Sequence, residues 1–132
     1  MALVKAGGRG GKWGYINQSG KFVINPQFDQ ARGFSGGLAA VAVNSQWGYI
    51  DKSGEFRIPA QFSFAGSFAG DLAKIGIGGG QVKYGYIDKH GKIVINPQFD
   101  AAESFSQNLA AVRIGKLWGY IQKKGHYAIP LQ

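Results

Sequence analysis

The sequence predicts an all-β chain of four tandem three-stranded antiparallel meanders. Three observations predict it. An aromatic-Gly-Tyr-Ile motif recurs at Trp13, Trp47, Tyr84 and Trp118, with starts separated by 34, 37 and 34 residues. A period of this size marks a repeat architecture. Each recurrence is followed by a turn holding a glycine at a fixed offset, namely Gly20, Gly54, Gly91 and Gly125. Each turn is followed by a short apolar stretch ending in Ile24, Ile58, Ile95 or Ile129.

The second unit illustrates the elements in order. Leu38–Val43 reads as a strand, and Asn44-Ser45-Gln46 reads as a hairpin loop. Trp47–Asp51 is a second strand, rich in aromatic and β-branched residues. Asp51-Lys52-Ser53-Gly54 has the residues of a type I turn followed by a left-handed glycine. Phe56–Ile58 is a third strand, expected to close at Pro59, which has no N–H to give a ladder. A connector follows in which Phe62 and Phe68, like Phe28 and Phe34 or Phe99 and Phe105, stand six residues apart. Short helical turns fit inside it. The glycine after each aromatic sits inside a strand, where glycine is normally unfavourable. Its recurrence implies a bulge, or room for a neighbouring ring over bare backbone.

The whole chain, residues 1–132, reads as one repeat domain cut at its leucines into units 1–37, 38–71, 72–108 and 109–132. Two arrangements of the units fit: an open β-repeat rod or solenoid, which is favoured, and a closed small four-bladed propeller-like ring. The loop before the aromatic-Gly is long and glycine-rich in units one and three (Gly7–Gly11, Gly78–Gly80) and short in the others.

Composition removes several functional classes. The 132 residues contain 22 Gly and no Cys. Absence of Cys excludes disulfides, thiol nucleophiles and Cys-ligated metal centres. No apolar run approaches the roughly 20 residues of a membrane-spanning helix. Residues 1–8 lack the apolar core of a signal peptide, so a cytoplasmic location is expected for this chain. The formal net charge is +8.

Lys12–Lys21, Ile24–Asp29 and Phe34–Val41, with their counterparts in the later units, resemble the WG-containing β-repeat family, also called KWG repeats. The resemblance covers essentially the whole chain. One unit departs from the signature, with Tyr84 in place of Trp. The structural signature is thus Trp13-Gly14, Trp47-Gly48, Tyr84-Gly85 and Trp118-Gly119. Such repeats run in tandem through many bacterial proteins. The resemblance implies a β-hairpin repeat with a binding or scaffolding role, and it implies no catalytic residues and no cofactor.

The residues agree with that expectation. Two histidines, His90 and His126, lie in or beside turns, without convergent carboxylates in sequence. Asn17, Asp51 and Asp88 read as acceptors of turn amides, and Asp29 and Asp100 as connector residues. Gly7-Gly8-Arg9-Gly10-Gly11-Lys12 lacks the following helix of a phosphate-binding loop and reads as a hairpin loop. Neither a catalytic nor a metal site is expected. The candidate binding surface is the basic turn edge: Lys21, Lys52, Lys89, His90, Lys92, Lys123, Lys124 and His126. The partner expected is another protein. A glycan is the alternative, read by exposed Trp and Tyr with the recurring Gln27, Gln61, Gln98 and Gln132. A further alternative is nucleic acid, or another polyanion, on the basic edge. Self-association through the terminal repeats is also expected.

Overall fold

The computed structural model describes residues 1–8 and 10–132, and the described residues form fifteen strands with no helix. They make four antiparallel sheets in two compact bodies, Met1–Phe62 and Ser63–Gln132. The first body holds the sheet β1 (Ala2–Ala6), β2 (Lys12–Ile16), β3 (Phe22–Phe28). It also holds the sheet β4 (Gln30–Ala31), β5 (Ala39–Val43), β6 (Gln46–Ile50), β7 (Phe56–Phe62). The second body holds β8 (Phe64–Ala65), β9 (Ala73–Ile77), β10 (Lys83–Ile87), β11 (Ile93–Phe99). Its other sheet is β12 (Ala101–Ala102), β13 (Leu109–Ile114), β14 (Leu117–Gln122), β15 (Tyr127–Ile129). The all-β tandem-repeat prediction therefore holds. Each meander has the expected three strands, and three of the sheets gain a two-residue fourth strand from the connector before them.

The hairpins follow from local chemistry. Asn44 and Ser45 have φ of 53° and 69°, so the β5–β6 hairpin is a two-residue turn of the primed kind, and Gln46 already pairs with Val43. In the second turn the Asp51 carboxylate accepts the amides of Ser53 (2.9 Å) and Glu55 (3.2 Å), while Gly54 takes φ of 90°. Asn17 and Asp88 repeat the pattern. These are the amide-accepting roles expected of the three residues.

Two expectations are corrected. Pro59 does not close its strand: β7 runs on to Phe62. The proline is tolerated because β7 is an edge strand and Pro59 lies in a bulge. Trp47 pairs with Phe62 and Tyr49 with Ile58, so Gly48 alone faces the three residues Pro59, Ala60 and Gln61. The other correction concerns the connector. Ser35 and Leu38 bridge across Gly36 and Gly37 (φ of 64° and 85°), and Ser106 and Leu109 bridge across Gln107 and Asn108 (φ of 53° and 67°). These tight left-handed turns follow the second phenylalanine; between the two phenylalanines the chain forms the short strands β4, β8 and β12 in place of the expected helical turns.

The strand glycine is explained by that three-residue arch. A Cβ on Gly14 would stand 2.6 Å from the Ile24 oxygen, and one on Gly48 would stand 2.6 Å from the Ile58 oxygen. Gly85 and Gly119 face Ile95 and Ile129 in the same way. The arch presses its backbone onto the glycine, so the bulge is the cause of the glycine rather than a stacked ring. Gln27, Gln61 and Gln98 complete the arch. Each donates its Nε2 to the carbonyl two residues earlier, at 3.2, 3.1 and 3.1 Å.

In the first body, Tyr15, Ile24 and Phe28 of the first sheet form one core with Ala39, Val41 and Ile50 of the second. In the second body, Tyr86, Ile95 and Phe99 form one core with Ala110, Val112 and Ile121. The connector phenylalanines seal these cores. Phe34 meets Tyr15 edge-on at 4.9 Å and Phe105 meets Tyr86 at 4.8 Å. The Tyr15 hydroxyl donates to the Arg32 carbonyl (2.6 Å), and that of Tyr86 donates to the Glu103 carbonyl.

Candidate functional site: a basic cleft in the second body

The turns place their lysines at sheet ends, and in the second body two turns and one connector meet. The turn Asp88-Lys89-His90, the turn residues Lys123 and Lys124, and the connector pair Asp71-Leu72 line a cleft of about 530 Å³ with Val94. Leu72 is buried and Val94 is partly exposed, so the cleft has an apolar floor. Three lysines against two aspartates leave a formal charge of +1, before any proton on His90.

The charges in the cleft are not equivalent. Lys123 Nζ lies 3.2 Å from Asp71 Oδ1. That hydrogen bond, with the charges of Lys123 and Lys89, holds the Asp71 carboxyl below its ordinary range. Asp88 Oδ1 is occupied by the amides of His90 (2.9 Å) and Lys92 (3.0 Å). Lys89 and Lys124 are exposed and, among the described residues, belong to no ion pair.

Of the predicted basic edge, the cleft gathers Lys89, His90, Lys123 and Lys124. Lys21, Lys52, Lys92 and His126 are exposed but lie outside it. Asp88, Lys89, His90, Lys123 and Lys124 are matched in the first body by Asn17, Gln18, Ser19, Lys52 and Ser53, which supply one lysine instead of three. Asp71, Leu72 and Val94 were not among the predicted site residues. The available signal was Asp71, which stands where the neighbouring repeats have Gly37 and Asn108. Arg9 of the glycine-rich hairpin loop lies outside the described residues, and Lys12 beside it pairs with Asp29.

The aromatic signature serves packing more than display. Trp47 is buried, Trp13 and Tyr84 are half-buried, and Trp118 is 43% exposed. Arg32 lies 4.8 Å from the Trp47 ring centre and Lys74 lies 5.4 Å from that of Tyr84. The indoles therefore do not offer three open platforms, and the Gln amide nitrogens of the first three repeats are spent on their own arches.

Every other carboxylate with a resolved shift is also engaged. Asp29 is held below its usual range by Lys12 and by the Asn44 amide. Asp100 is held low by the Gly115 amide and by Lys83. Asp51 is brought to about 2, chiefly by the Ser53 hydroxyl and then by Arg57 and the turn amides.

Four sheets of one pattern, with the same glycine under the same arch, define a tandem β-repeat protein. The description of the WG containing repeat matches residues 13–47, 47–80 and 84–118, and the chain belongs to that family. No curated protein and no solved structure shows a significant match.

Proposed function

We propose that this chain is a non-enzymatic binding module that holds another protein through an acidic segment with at least one apolar side chain. The observation that carries this reading is the convergence of Lys89, His90, Lys123 and Lys124 around Leu72 and Val94. Two cations that belong to no ion pair among the described residues suit carboxylates, and the apolar floor suits a side chain beside them. Asp29, Asp51, Asp71, Asp88 and Asp100 are each committed to a lysine, an arginine or a backbone amide, which supports a binding role over acid–base chemistry.

The test is a fluorescence titration with labelled peptides: acidic with a central Leu, acidic without it, and neutral. A dT homopolymer and a neutral oligosaccharide serve as further arms. The first peptide is expected to bind best, with affinity falling as salt rises. Lys89→Glu with Lys124→Glu is expected to weaken it at least tenfold without changing the melting temperature. Binding of that peptide unaltered by the double reversal sinks the proposal. Stronger binding of the homopolymer or the sugar replaces it with the polyanion or glycan reading.

A further inference from the structure

Both bodies use one sheet-on-sheet interface. A donor face of Tyr, Ile and Phe (Tyr15, Ile24, Phe28; Tyr86, Ile95, Phe99) lies on a receiver face of Ala, Val and Ile (Ala39, Val41, Ile50; Ala110, Val112, Ile121). The six receiver residues are at most 2% exposed.

One copy of each face stands uncovered, the donor copy with its Tyr and Ile but without a Phe. On the fourth sheet, Tyr120 and Ile129 are 43% and 42% exposed, beside Trp118 at 43%. Their counterparts Tyr15, Tyr49 and Tyr86, and Ile24, Ile58 and Ile95, are 0–4% exposed. On the first sheet, the receiver positions are Ala2, Val4 and Ile16, the same residue types in the same register: Ala2 pairs with Ile16 as Ala39 pairs with Ile50 and Ala110 with Ile121. Ala2 is exposed, and Val4 and Ile16 are half-buried.

We infer that the fourth sheet of one copy docks on the first sheet of a second copy, with Tyr120 and Ile129 against Val4 and Ile16. The contact continues an interface that the molecule already builds twice from the same residue types. Apolar area of this kind gains by leaving water. Because the two faces differ, the contact is head-to-tail and adds copies in series unless the rotation closes a ring. The inference is independent of the cleft.

Sedimentation of the full chain over a wide concentration range tests it. The wild type is expected to rise above its 14.1 kDa monomer mass as concentration increases. Ile129→Asp and Val4→Asp, each alone, are expected to stay at the monomer mass. An equal mixture of the two retains one good donor face and one good receiver face, and is expected to stop at twice the monomer mass. Lys89→Glu with Lys124→Glu is expected to associate like the wild type. Should circular dichroism show either Asp variant to be unfolded, Tyr120→Ser and Ile16→Ser take their places. A wild type that remains monomeric throughout overturns the inference. So does association that persists in either single variant, or an inert mixture.

Discussion

Gly48 lies flat against the carbonyl of Ile58, so close that an added Cβ would stand 2.6 Å from the oxygen. The obstruction is backbone on both sides, so no side chain can move to relieve it. Gly48→Ala is expected to cost about 1–3 kcal/mol, the range of overpacking in a filled interior. Gly79 has open space around it. Gly79→Ala is expected to stay within about 0.5 kcal/mol of wild type. Urea denaturation of the two variants checks the contrast.

Ser45 holds φ of 69° in the β5–β6 turn, a conformation unfavourable to residues with a Cβ by roughly 1–2 kcal/mol. Asn-Gly is the preferred pair at such a turn. Ser45→Gly is expected to raise the melting temperature by a few degrees. A fall in melting temperature would show that the serine makes a compensating interaction.

The Tyr86 hydroxyl satisfies the Glu103 carbonyl beneath the connector. Tyr86→Phe keeps the ring and its edge contact with Phe105 but leaves that carbonyl without this donor. A loss of about 1 kcal/mol is expected in thermal or urea unfolding.

Burial lifts the Tyr15 phenol to about 12 and pushes the Tyr49 and Tyr86 phenols further up. Above pH ~10 the unfolded chain releases these protons and the folded chain keeps them. The folded state then binds more protons, so stability falls as pH rises past ~10. Absorbance of phenolate is expected to appear for these three of the six tyrosines only together with loss of structure. Ionisation of all six in a folded chain would contradict it.

Asp51 carries the opposite sign. Its carboxyl sits at about 2 in the folded chain, below the unfolded value near 3.9. Its contribution is present above pH ~4 and is lost as pH falls toward 2. Asn17 makes the same turn contacts with an amide oxygen. Asp51→Asn is therefore expected to keep the turn while making the melting temperature less dependent on pH between 4 and 2.

The hairpins were legible because their causes are local. Asn, Asp and Gly at fixed offsets dictate turns wherever they occur, and the motif repeats them four times. Glycine recurrence also pointed to a bulge. What the sequence concealed was the arch opposite it, because Pro59 reads as a strand end until an edge position makes it harmless. Gln30–Ala31 and its counterparts are too short to show any periodicity. The cleft depends on which two turns approach one another, a property of sheet stacking rather than of spacing. Tyr49 and Tyr120 share one motif, yet one is sealed and the other open. No local pattern separates them.

Within every sheet, each strand bonds only to strands adjacent in the chain order. No crossover has to be closed before a sheet can form, so the entropic cost of pairing is that of short loops alone. Such a topology favours rapid folding for an all-β chain, and lets any one hairpin serve as the nucleus from which the rest is zipped.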